Sequence, residues 1–216
     1  MSAEWSWTLV GIACGPTLTA LTARAAAGQP LFPPPWWRPN LSREAFMTTS
    51  VLCALLALMS YRFAGSPLLP AVCWLAITGT QLVLIDLTCH RLPHAITGAM
   101  FLGGLVLLGY AALRVGGTSA FLRAVTASGL LFATMLAVAV LASPMIGGGD
   151  VALLGTVGLY LGWVDWSRVV VGLLLALLMA TLAATALLAS RRIGPRDPFA
   201  IGPAIVGGTL IALGLP

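Results

Sequence analysis

Two acids stand in stretches that otherwise hold no charge. Asp86 closes the run Leu82-Val83-Leu84-Ile85, and Asp150 follows Gly147-Gly148-Gly149 and precedes Val151-Ala152-Leu153-Leu154. Asp150 is the only charged residue between Arg123 and Asp165. A carboxylate placed deep in a bilayer costs roughly 2.5–3.5 kcal/mol, and such residues are as a rule paired or functional. An ion pair with Arg91 would account for Asp86, and a helix N-cap would account for Asp150. Neither explanation covers both acids or calls for three glycines. Hydrolysis through a shared water does need both. One carboxylate takes a proton from the water while the other protonates the carbonyl oxygen or the leaving amine. Two carboxylates about 4 Å apart repel by about 4 kcal/mol at an effective dielectric of 20, enough to hold one proton between them. Asp86 and Asp150 are therefore the expected catalytic pair of a membrane-embedded aspartyl protease. Asp150 opens a helix and Asp86 closes one, so helix dipoles are expected to place the anion on Asp150. Without Cβ atoms, Gly147, Gly148 and Gly149 would let an extended substrate lie against the backbone and reach the acids, although a hinge would use the same residues.

The elements that must position this pair are apolar helices. Of 216 residues, 59% are hydrophobic and only 8% charged, with a mean hydropathy of +1.01. Soluble domains carry about 25% charged residues. Long apolar runs without alternation imply an all-α polytopic membrane protein, because only helices satisfy every backbone group within one segment in lipid. About eight transmembrane helices are expected, over residues 5–23, 45–63, 68–87, 95–113, 121–142, 150–163, 169–189 and 199–215. The sixth, shorter than the roughly 20 residues a crossing takes, suggests a start below the membrane surface. Residues 1–216 read as a single membrane-embedded domain, with the first run a retained span and residues 24–44 a short Pro-rich cytoplasmic loop.

All 11 basic residues are arginine, and they are scattered along the chain, which argues against nucleic acid as a partner. They read instead as topogenic charge. With the first residue outside, the inner connections hold Arg24, Arg38, Arg43, Arg91, Arg191, Arg192 and Arg196, and the outer ones only Arg62, Arg114, Arg123 and Arg168. That orientation puts both Asp86 and Asp150 at the cytoplasmic edge. Cys14, Cys53, Cys73 and Cys89 form no CxxC pair and read as small hydrophobes.

The segment Asp86-Leu-Thr-Cys-His-Arg-Leu-Pro-His94 resembles the first signature of type IV prepilin peptidases, an Asp followed closely by Ile/Leu-Pro-Asn. Gly147-Gly-Gly-Asp150 is similar to their second signature, GxGD, and Pro198-Phe-Ala-Ile-Gly-Pro203 to the Pro-Phe-Gly-Pro stretch before their last span. The likeness covers roughly residues 68–215. It implies a cell-membrane enzyme of bacteria that cuts the leader of prepilin or pseudopilin precursors after a glycine, at the cytoplasmic face, with Asp86 and Asp150 as the catalytic pair. Departures are Ala152 where the family has Lys, His94 where it has Asn, and a first connection without the two CxxC pairs that accompany N-methylation in larger members.

His90 and His94 are four apart, a metal-ligand spacing on a helix, but Pro93 interrupts any helix between them and no third ligand is near in sequence. No metal and no organic cofactor is expected. His90 and Arg91 are expected instead to border the site and contact substrate. The partners expected are the pilin-like substrate and the lipid bilayer. Two other readings use the same acids: a proton- or cation-coupled transporter, and an inactive relative acting in pilus assembly.

Overall fold

The computed structural model describes residues 3–29, 42–90, 92–142, 147–191 and 200–215. They form eight helices: α1 (Ala3–Ala26), α2 (Arg43–Arg62), α3 (Leu69–Cys89), α4 (His94–Val115), α5 (Thr118–Ala142), α6 (Gly148–Val164), α7 (Trp166–Ala189) and α8 (Gly202–Gly214). No strand occurs among the described residues. Six helices, α1 to α5 and α7, are long and apolar enough to cross a membrane. The chain is a multi-pass membrane protein. Helices α6, of 17 residues, and α8, of 13 residues, are shorter. At 1.5 Å per residue they reach about 25 Å and about 20 Å, against a hydrocarbon core of about 30 Å.

The expected final span from residue 199 is thus cut back, since Ala200 and Ile201 are not helical and α8 opens at Gly202. Pro203 sits in its first turn, where a missing N–H costs nothing. Of the first connection, residues 30–41 lie outside the described residues, as does Arg91.

Burial separates inner from outer helices. In α3, 56% of the most apolar window is buried, whereas the figure for α5 and α7 is 17%. Helix α6 is buried almost without interruption from Val151 to Gly162, and α8 packs against both α3 and α6. The two helices that carry the acids are therefore interior, with α8 bridging them. Helix α6 lies close against α5, where a Cβ on Gly158 would sit 3.0 Å from the Ala127 carbonyl oxygen. Small residues allow such approach between helices in lipid. Buried Tyr160 donates its hydroxyl to the Met100 carbonyl at 2.8 Å, tying α6 to α4.

One end of the bundle is closed by arginine. Arg123, on α5, donates to the Gly162, Trp163 and Val164 carbonyls at 2.8, 2.7 and 2.8 Å, the last turn of α6. Arg62 reaches Gly214 and Leu215 at the end of α8, at 3.3 and 2.9 Å, and Arg168 reaches Ala212 at 3.2 Å. The last carbonyls of a helix lack intrahelical partners and carry its negative dipole end, so a guanidinium satisfies both needs.

Candidate active site

The opposite end gathers the close of α3 and the starts of α4, α6 and α8. Asp86 lies in the last turn of α3 and is 5% exposed. The helix runs one residue past Thr88 to Cys89, and His90 then ends it in the left-handed region (φ 51°), its N–H donating to the Asp86 carbonyl at 2.9 Å. His is among the residues enriched in that region. The turn sends the chain through Leu92 and Pro93 directly into α4.

The Asp86 carboxylate meets a second helix. The Gly202 N–H, at the start of α8, donates to Asp86 Oδ2 at 2.8 Å across 116 residues of sequence. A Cβ at position 202 would stand 2.7 Å from that oxygen, so the approach depends on glycine. This corrects the expected dipole asymmetry. Asp86 ends its own helix but also faces the start of another, so both acids stand at helix starts and the basis for assigning the anion to Asp150 is gone.

Asp150 is not the N-cap of α6. That position belongs to Gly147, and α6 begins at Gly148, which puts Asp150 on the third helical residue. Its carboxylate turns back to the Gly147 backbone amide, the reciprocal half of a capping box. Capping and catalysis are compatible here, because Asp150 also lies within electrostatic reach of Asp86.

Both acids line one cavity of about 310 Å³. His90, Gly147 and Gly149 line it too, with Leu92 and Ile201 as its apolar walls. A liquid water occupies about 30 Å³, so several waters and a short stretch of extended peptide fit. The three glycines divide. Gly149 is pressed against the protein itself, since a Cβ there would lie 2.6 Å from Leu92 Cβ. Gly147 and Gly148 are exposed and remain open to an incoming chain. His90 borders the acids, whereas His94 opens α4 and lines a different cavity. Among the described residues no group of three or more His, Cys, Asp or Glu side chains is placed to hold a metal.

Gly202, Ile201 and Leu92 were not singled out from sequence as site residues. For Gly202 and Ile201 a signal existed, because both fall in the 198–203 stretch that carries the third part of the family likeness. Leu92 had one too, as the Ile/Leu position of the first signature. Compared with known proteins, the chain matches no family model, no curated protein and no solved structure.

Proposed function

We propose that the protein is an intramembrane aspartyl endopeptidase that cleaves the leader of type IV prepilin-like precursors. The observation that carries this reading is the shared cavity: two acids 64 residues apart in sequence face one polar, open space at one end of an otherwise apolar bundle. A water between Asp86 and Asp150 is activated by whichever carboxylate is ionised, and the protonated one supplies the proton for the departing amine. The Gly202 amide holds Asp86 Oδ2, leaving Oδ1 to meet the water. Gly147 and Gly148 offer exposed backbone against which the scissile segment lies extended.

The same reading places the acid end at the cytoplasmic face of a bacterial inner membrane. The arginine distribution supports it, and the interactions of the outer arginines strengthen that support. Arg62, Arg123 and Arg168 bond helix-end carbonyls, so a structural reason explains basic residues on the side that topogenic rules leave poor in them. The test is cleavage of a synthetic precursor by the purified protein in vesicles. The precursor has a short basic leader, a glycine and an apolar helix. Cleavage after the glycine by the wild type and its loss in Asp86→Asn and Asp150→Asn are expected. Unchanged cleavage in either variant would remove the dyad.

A further inference from the structure

A groove of about 430 Å³ opens sideways between α4 and α5, with α6 as its floor. On α4 it spans His94 to Phe101 and on α6 Ala152 to Leu159, about 10 Å along each helix. It begins beside the acid cavity. His94, at its mouth, lies 3.8 Å from where a Cβ on Gly148 would be, and Ala152 is two residues beyond Asp150. The groove exists because α5 leaves the bundle as it nears the acid end: Ala124 and Ala127 are fully buried, whereas Val140 is 71% and Leu141 87% exposed.

Gly98 on α4 and Gly129 on α5 line opposite walls. A Cβ on either would meet nothing within 4 Å. Most glycines inside these helices are packed differently: Gly79, Gly104, Gly158, Gly162 and Gly208 each press against a neighbouring residue of this chain. Glycine weakens a helix, so its use where no part of the chain comes close calls for another occupant. A second groove of similar size, about 450 Å³, runs between α2, α3 and α8 on the Asp86 side. Its glycine, Gly207, is already packed against Met179, and the acid beside it is buried. The more accessible acid, Asp150, adjoins the first groove.

We propose that the α4–α5–α6 groove seats the apolar helix of the substrate, with large aliphatic side chains of that helix over Gly98 and Gly129, and delivers the residues preceding that helix to Asp150. The proposal rests on the peptidase reading for its occupant. Small residues on one helix admit the side chains and backbone of another, and the adjacency of groove and acid cavity fixes which end of the substrate helix is presented.

Two measurements test it in vesicles with the synthetic precursor. In the first, Gly98→Leu and Gly129→Leu are compared with wild type on that precursor and on a short water-soluble peptide that spans only the cleavage site. A KM at least tenfold higher for the precursor, with the short peptide cut as by wild type, is expected. Equal loss on both substrates, or on neither, overturns the groove while leaving the peptidase reading standing. If the wild type cuts neither substrate, the peptidase reading fails and the second measurement decides the groove alone. A photo-reactive phenylalanine analogue is placed at Val125 in this groove or at Val51 in the other, both exposed. Cross-links to the precursor's helix from position 125 and not from position 51 are expected. Adducts with lipid only, or equal adducts from both positions, overturn the proposal.

Discussion

At one end of the bundle, guanidinium groups of Arg62, Arg123 and Arg168 cross from one helix to the terminal carbonyls of another. At the other end the terminal group that crosses is an amide, from Gly202, and what receives it is a carboxylate that also lines a cavity. Both ends satisfy orphan backbone groups with a charged side chain. They differ in what remains open. Each guanidinium is engaged with carbonyls and joins two helices. Asp86 keeps one oxygen clear of the Gly202 amide contact, and Asp150 stands beside it in space large enough for water. The arginine end fixes α6 and α8 in place, and the acid end relies on that anchorage, since α5 and α7 are largely exposed as they approach it.

The largest effect that sharpens this contrast is chemical. Asp86→Asn and Asp150→Asn keep shape and an acceptor but lose the proton exchange, so cleavage should fall about 10²- to 10⁴-fold while thermal stability in detergent stays near wild type. A variant that both cleaves normally and melts normally would reduce the acid end to another capping arrangement. Next in size is Gly202→Ala. The new Cβ, 2.7 Å from Asp86 Oδ2, forces the carboxylate or the start of α8 to move. Overpacking of this kind costs about 1–3 kcal/mol, and the displaced Asp86 should lower kcat. Gly214→Ala is the matching change at the arginine end of the same helix. A Cβ there meets nothing within 4 Å, so kcat should not shift and stability should hold or rise slightly, because alanine favours a helix over glycine.

Arg123→Ala attacks the other side of the comparison. It strips three carbonyls at the end of α6 of a charged donor. Hydrogen bonds to charged groups contribute about 1.5–3 kcal/mol, so a loss of about that size in unfolding free energy is expected. Arg114→Ala should cost far less, because Arg114 bonds only one turn back to Tyr110 on its own exposed surface. Equal losses from the two variants would mean that the α5–α6 clamp carries no special weight.

How far sequence led differs between the two ends for a physical reason. Asp86 and Asp150 were legible because a charge inside an apolar run is costly wherever it is met. The helices were legible for the same reason, and their observed bounds fall within three residues of those expected. Arg123 was read as topogenic charge. That reading uses only which side of the membrane a residue lies on, and its three carbonyl acceptors are about 40 residues away in sequence. Gly202 was marked only as part of the 198–203 stretch, and its bond to Asp86 was hidden, because a backbone amide leaves no mark on the residue that receives it 116 positions earlier. The dipole argument failed at Asp86 for this cause: it counted the helix Asp86 belongs to and not the one it touches.

The smallest predicted effect uses an acid at the arginine end as a control for the two at the other. Asp165 is exposed and caps α7, its carboxylate accepting from the Ser167 N–H. Those bonds from Ser167, backbone first and hydroxyl second, hold its carboxyl below the ordinary aspartate range, with the nearby charges of Arg123 and Arg168 adding to them. A carboxyl whose folded-state value is depressed contributes stability that is fully present above its unfolded value, near 4. That contribution disappears as pH falls through the lower folded value. Asp165→Asn retains a good N-cap residue and removes the titration, so the wild type's small loss of melting temperature below about pH 4 should flatten in the variant. Cleavage at neutral pH should be unchanged, because Asp165 sits at the far end of α6 from Asp150. If Asp165→Asn lowers cleavage as Asp150→Asn does, the lost activity reports general removal of acids from this protein, and the distinction between its two ends no longer stands.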